Sequence, residues 1–479
     1  MNEHEIQDIN DMTVEEKLPR AVIEWTNTMG EVSRYNEYPA ILEYFCLLGQ
    51  ILKDMITIPY GYTKEDTRFH VGWVQTARSG KSVLNDFLTQ ITLKTFKYIN
   101  AQMGRHEDDP YFTMFDVVDY TDAALIGSVK TVRNEHYGEE GHPTSDEKEV
   151  EKQVYGALEG SGLALFDEFE SSGIFKKKAN NENVLVYLQK FMNGLESKSN
   201  IIRKRLAGGD KEIVCDCQRS MYATTYVPTN FLEILFNSGA LQRALVYVRE
   251  IDEDILHIQR DTFIDGLGEE FDGFPECERF ANALVRIYQE VGKRFNEVGV
   301  KSKVFTFDPN AKEVLRLSYN KMEYIILNHP PKIRKLARSF QINLIQYEMI
   351  FSTLICAIES VNRTQGKFAV TAKNMHQARK VVEPCYDYLI EWLQNSIRGD
   401  VVTAELQHTS RVKTFKETYN GFEKKDGWVN QKEYLYEVAA KMSKGTSTIY
   451  RYWKKDNISQ YFESKQVVRT TYIKWRKQE

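Results

Sequence analysis

Residues 71–88, VGWVQTARSGKSVLNDFL, constrain the fold more than any other stretch of the chain. A short apolar run ends in a turn that carries Ser79, Gly80, Lys81 and Ser82, and the turn opens directly into helical spacing. In a phosphate-binding loop, backbone N–H groups at a helix start wrap the phosphates, the lysine reaches the terminal ones, and the next hydroxyl holds magnesium. That arrangement needs a strand before the loop and a helix after it. The pattern G-x-x-x-x-G-K-[ST] is broken at its first glycine, where Gln75 stands. This position begins the turn and approaches the phosphates less closely than Gly80, so the departure is tolerable. Ser79 and Gly80 are then the cradle, Lys81 the phosphate contact and Ser82 a magnesium ligand.

A second element supports the first. GLALFDEFE, Gly162 to Glu170, is an apolar run ending in adjacent carboxylates, 86 positions after Lys81. Asp167 is expected to join the magnesium shell and Glu168 to orient an attacking water, as phosphoryl transfer requires. Further on, SMYATTYVPTNF reads as another buried strand, where Thr225, or Thr224 beside it, would hold the water or the γ-phosphate. In NSGALQRALVYV, Arg243 follows a glycine turn and precedes an apolar strand. An arginine there would reach a neighbouring subunit's γ-phosphate and stabilise transition-state charge; a surface salt bridge is the alternative.

Short apolar runs alternate with helical segments between residues 66 and 275, which predicts a mainly parallel sheet covered by helices. Residues 1–65 read as a helical N-terminal collar, 276–398 as a helical lid, and 399–479 as a further domain. The polar stretch at 395–410 reads as a linker. A chain of 479 residues with 42% hydrophobic content supports two or three domains, since single cores stop growing near roughly 250–300 residues. No apolar run is long enough to span a membrane and the N-terminal stretch is acidic, so an intracellular protein is expected, in the cytoplasm or a host nucleus. The six cysteines show no metal-binding spacing and read as buried free thiols.

The net charge of −5 hides an asymmetry. Residues 401–479 carry 16 Lys/Arg against 9 Asp/Glu, which is +7, so the rest of the chain is −12. This basic tail contains two helical segments separated by a short turn and then an alternating stretch, the order of a winged helix. Arg451 and Lys454 lie three apart on its second helix and are expected to contact phosphate together; a protein-docking winged helix is the alternative. A Gly-Gly-Asp turn between β-prone runs in SNIIRKRLAGGDKEIVCDC predicts a hairpin with Arg203, Lys204, Arg205 and Lys211 near its tip. Lys176 to Lys178 read either as a second nucleic-acid loop or as a solvated charge run.

Taken in order, QTARSGKS, LALFDE, the hairpin, ATTYVP and GALQRALV resemble the AAA+ helicase clade of superfamily III viral and plasmid helicases, phage and plasmid primase-helicases and minichromosome maintenance-like proteins. The resemblance covers about residues 20–395. It implies an α/β fold, a P-loop AAA+ core with a parallel sheet, a helical collar and a helical lid, here followed by the winged helix. It also implies ATP and Mg2+ as cofactors, a homo-hexameric ring, and single-stranded or forked DNA as partner, with the hairpin in the central channel. An arginine of the lid, Arg338 or Arg334, is expected at the nucleotide by the same resemblance. The resulting expectation is a replicative DNA helicase or translocase of a virus, plasmid or other mobile element. Its rivals are an AAA+ ATPase that remodels or loads protein–DNA complexes without unwinding, and a non-catalytic ATP-switched initiator. A pure switch has no need of the water-orienting Glu168.

Overall fold

The structure, a computed structural model, describes residues 18–33, 37–75, 80–117, 121–133, 149–167, 183–195, 198–205, 212–225, 243–249, 276–297, 305–329, 331–361, 369–422, 424, 426–442, 446–455, 458–467 and 470–476. The chain divides into two compact units, Met1–Trp392 and Leu393–Glu479.

The first unit begins with α1 (Arg20–Ser33), α2 (Glu37–Leu52) and a small hairpin, β1 (Ile58–Tyr60) and β2 (Thr63–Glu65). Then follow β3 (Val71–Val74), α3 (Lys81–Gln102), β4 (Phe112–Asp116), the short helix α4 (Asp122–Ile126) and a second hairpin, β5 (Ser128–Arg133) and β6 (Glu149–Val154). After these come β7 (Gly160–Phe166), α5 (Val184–Phe191), β8 (Ile201–Arg205), β9 (Glu212–Thr225) and β10 (Leu245–Val248). The remainder is helical, with α6 (Cys277–Glu297), α7 (Pro309–Leu327), α8 (Pro331–Ser360) and α9 (Ala372–Gly421), plus the two-residue pair β11 (Thr306–Phe307) and β12 (Ala369–Val370).

Five parallel strands build the central sheet in the order β10-β3-β9-β7-β4, and β8 adds to β9 antiparallel. The alternation of strand and helix predicted this parallel α/β core. Every residue of β3 and β10 is buried, which explains why VGWV and LVYV are continuous apolar runs with no polar alternation. Gly162 in β7 has φ +133, and a side chain there would strike the Thr113 carbonyl of β4, so the glycine is required for close strand pairing.

Helices α2 and α3 meet the same face of β9. Gln50 accepts from Ser220 Oγ at 2.9 Å, and Asn85 Nδ2 donates to Thr224 Oγ1 at 3.3 Å; Ser220 and Thr224 share one side of the strand by its period of two. Trp25 of α1 ties this layer together: its ring meets Tyr44, Phe87 and Phe280 edge-on at centroid distances of 5.4, 6.0 and 5.1 Å, and its indole N–H donates to Ala40 O at 2.8 Å. The segment read as a collar therefore contributes, through α2, to the wall of the sheet itself.

In the second unit the end of α9 precedes β13 (Val429–Asn430), α10 (Gln431–Lys441), α11 (Thr446–Lys455), β14 (Phe462–Val467) and β15 (Thr470–Trp475), and the strands form an antiparallel sheet in the order β13-β15-β14. Phe415, Tyr434, Trp453, Phe462 and Ile473 are among its core residues. The expected linker at 395–410 is a correction: those residues are helical, within α9. The stretch is polar but holds no proline and a single glycine, Gly399, so nothing in it breaks a helix. Among the described residues, no helix is long and apolar enough to cross a membrane. All six cysteines are free and buried.

Candidate functional site

The route of the chain through the sheet determines where a ligand can sit. From β3 the chain crosses β9 and β7 to the far edge at β4, whereas from β9 it crosses to the other side to form β10. Connections that leave adjacent strands in opposite directions open a crevice at their carboxyl ends. Here that crevice lies between β3 and β9.

Several polar groups converge on it. Gly80 caps α3 with φ +80, a left-handed conformation that glycine adopts without steric cost, and no side chain caps the helix. The first-turn N–H groups of α3 have no partner within the helix itself and point toward the side an anion would approach. Lys81, the first residue of α3, folds back so that Nζ donates to the carbonyl of Gln75 at 2.9 Å. Gln75 is itself structural, for its side chain accepts from Trp73 Nε1 at 2.9 Å and its N–H donates to Thr225 O at 3.1 Å. It is also absent from the residues with positive φ, so glycine is not needed at that place.

Asp167 follows β7 directly. Its Oδ1 accepts from Thr224 Oγ1 at 2.6 Å and from Asn85 Nδ2 at 3.4 Å. Asn85 Oδ1 is buried beside them with no hydrogen-bond partner. Asp116 ends β4 one strand away, and burial, followed by the negative charge of Asp167, raises its carboxyl above the usual range. Two carboxylates, a hydroxyl and an orphaned amide oxygen thus gather where β4, β7 and β9 end beside the first turns of α3.

Sequence reasoning did not single out Asn85 and Asp116. Asn85 lies four residues after Lys81, hence on the same helical face, and FTMFD ends in a carboxylate just as LALFD does. Both signals were present. Of the threonine pair, Thr224 is the one that reaches Asp167; Thr225 is adjacent on the strand and faces the other side, and its carbonyl pairs with Gln75.

Arg243 lies at the opposite end of the sheet. It precedes β10, where Leu245 pairs with Val71 at the start of β3, so it is separated from Lys81 by at least the length of that strand, about 13 Å. Its residue is exposed, and its carbonyl accepts from Tyr347 Oη. The two arginines expected at the nucleotide are engaged among α7 and α8: Arg338 pairs with Glu323 at 2.8 Å, and Arg334 donates to Leu327 O and His329 O at 2.9 and 3.3 Å at the end of α7. Ser82 is exposed in the first turn of α3. Ser79, Glu168, Lys211 and Lys176 to Lys178 lie outside the described residues.

The hairpin expected from the Gly-Gly-Asp turn is formed by β8 and β9, which pair from Ile201↔Asp216 to Arg205↔Glu212. Arg203 and Arg205 share its exposed side. Arg203 pairs with Glu212 at 3.2 Å, whereas Lys204, on the other side, pairs with Asp122 at 2.9 Å. In the second unit Trp453 and Ile449 of α11 are core residues, while Tyr450 and Lys454 are exposed, four residues apart on one face. Arg451 belongs to the same helix.

No protein-family model matches the chain, and no curated protein matches it in sequence.

Proposed function

We propose that the protein is an ATP-driven, ring-forming DNA helicase or translocase, of the replicative kind carried by viruses, plasmids and other mobile elements. The observation that carries this reading is the crevice between β3 and β9, where a glycine-capped helix start and Lys81 face Asp167 and Thr224. A lysine at a helix N-terminus suits the phosphates of a nucleotide, and the acidic side opposite suits a cation bound with them.

The residues fit Mg2+. Asn85 Oδ1 is an acceptor without a donor, next to a carboxylate whose neighbour Asp116 is disfavoured as an anion. Among the described residues no three His, Cys, Asp or Glu side chains gather as a metal cage, which suits an ion held by one or two carboxylates together with phosphate oxygens. When bound, the ion neutralises charge on the phosphates. Asp167 and Ser82 would hold it, Thr224 and Asn85 orient the Asp167 carboxylate, Lys81 turns from the Gln75 carbonyl to the phosphates, and Glu168 positions water.

The ring belongs to the proposal because Arg243 occupies the far end of its own sheet and so serves a neighbour's nucleotide. DNA binding rests on Arg203 and Arg205 of the hairpin, with Lys204 and Lys211, and on Arg451 and Lys454 of a winged helix formed by the second unit. A ring ATPase that remodels or loads protein–DNA complexes without unwinding is the second reading. The Lys204–Asp122 pair favours it, because a lysine neutralised within its own subunit has less charge to offer a strand. Strand displacement on forked DNA, with and without ATP, separates the two: ATP-dependent displacement supports the helicase, and DNA-stimulated hydrolysis without displacement supports the loader.

A further inference from the structure

This inference rests on the nucleotide site proposed above and extends it to the nucleobase. Lys81 stands at the end of β3, and Asp167 and Thr224 lie to the side of β9 and β7. Terminal phosphates and metal therefore occupy that side. A nucleotide so placed directs its nucleoside the other way, past Gln75 toward β10.

Arg249 lies there. It follows β10, and its N–H donates to Val74 O at 3.3 Å, which sets it one strand spacing, about 4.8 Å, from the start of the phosphate loop. The residue is exposed, and its guanidinium carbon lies over the ring of Tyr388 at 5.1 Å from the centroid, with Nη1 donating to Tyr388 Oη at 3.3 Å. Tyr388 in turn meets Tyr247 edge-on at 5.9 Å, and Tyr247 stacks on Tyr38 at 5.2 Å. Among the described residues no carboxylate pairs with Arg249. A planar cation fixed on an aromatic ring, exposed and without an anion, is a stacking surface for another π-system.

We propose that Arg249, held by Tyr388, is the platform on which the nucleobase stacks, and that it gives the site its preference for a nucleotide over bare polyphosphate. Stacking requires the planar guanidinium, whereas a phosphate contact requires only its charge.

The test compares MgATP and inorganic tripolyphosphate binding to the full-length protein by calorimetry, for wild type, Arg249→Ala and Arg249→Lys. Arg249→Ala is expected to weaken ATP about tenfold and to leave tripolyphosphate unchanged, with Arg249→Lys behaving like alanine. Equal loss for both ligands, recovery of ATP binding in Arg249→Lys, or unchanged ATP binding in Arg249→Ala each overturns the platform. Wild type that binds neither ligand refutes the nucleotide site itself and the platform with it. Wild type that binds both, with Arg249→Ala unaltered, refutes the platform alone.

Discussion

At the amino edge of the central sheet, Arg68 donates to Asp66 and to the carbonyls of Asn193 and Arg219, and Arg219 donates to Glu159 O, Thr113 O, Ser161 O and Thr113 Oγ1. Lys53 there contacts Asp54, Tyr111 and Gln218. At the carboxyl edge, Asn85 keeps an orphaned oxygen, Lys81 rests on a backbone carbonyl, and Asp116 lies under the negative charge of Asp167. The same strands carry both edges. Satisfied polar groups hold the strands in register, whereas a buried oxygen left without a donor, here Asn85 Oδ1, is one a ligand can complete. Burial alone does not separate the two, since Arg219 is brought down to about 10 by its buried position and yet each of its three guanidinium nitrogens donates a hydrogen bond.

The largest stability effect is expected at the satisfied edge. Asp66 and Arg68 have side chains only 6% and 2% exposed, and Asp66→Ala leaves a buried cation without its partner. It should cost about 3–5 kcal/mol in urea unfolding. Lys81→Ala removes the Nζ–H hydrogen bond to the Gln75 carbonyl at the open edge and should cost under about 1 kcal/mol. Similar losses for both variants would erase the contrast.

Next in size is a pH effect among helices α7, α8 and α9. Glu348 is pushed up to about 8, chiefly by burial; Ser318 donates to one of its oxygens at 2.6 Å, and the other oxygen has no partner. Glu383, Arg379 and Lys321 also act on it. A carboxyl raised in the folded state keeps its proton after the unfolded chain has lost it. The stability it contributes is therefore complete below the unfolded value, near 4.5, and is lost as pH rises through about 8, at up to about 1.4 kcal/mol per unit. Glu348→Gln should remove that slope, so that thermal unfolding of the variant and wild type diverges from pH 5 to pH 8 in the variant's favour. Parallel pH profiles would show that Glu348 is not the titrating group.

The positions of these groups explain what could be read from the sequence. The strand β3, the helix start at Lys81 and the strand leading to Asp167 were legible because each is a local pattern, a short apolar run or a helical spacing continuous in sequence. Asp116 and Thr224 come beside Asp167 only because β4, β7 and β9 lie side by side, and Asn85 reaches it from α3 packed on that sheet; no spacing along the chain encodes that arrangement. The β5–β6 hairpin mixes valines with polar residues without a strict alternation, SVKTVR against EVEKQV, and its strands are separated by 15 residues, so no tight turn announces the pair. Residues 395–410 misled by their polarity: composition suggested a linker where the absence of helix breakers lets α9 continue.

Smaller effects sharpen the open edge. Thr224→Val removes the donor to Asp167 and should raise the Mg2+ concentration needed for hydrolysis by about 10–100-fold, with Thr224→Ser restoring it. A lower maximal rate at unchanged Mg2+ dependence would instead place the threonine at the water. Deleting residues 401–479 should flatten the salt dependence of DNA binding, by about 0.9 in the slope of log K against log salt for each phosphate the truncated protein no longer neutralises, while sparing hydrolysis. An unchanged slope would assign the second unit to a protein partner.

The most direct measurement is MgATP binding and turnover by wild type, Lys81→Ala and Glu168→Gln, all first shown to unfold at the same temperature without nucleotide. The open-edge account expects ATP to stabilise and be hydrolysed by wild type, to do neither with Lys81→Ala, and to stabilise Glu168→Gln without being turned over. Undiminished ATP binding by Lys81→Ala, or near-normal turnover by Glu168→Gln, would contradict it.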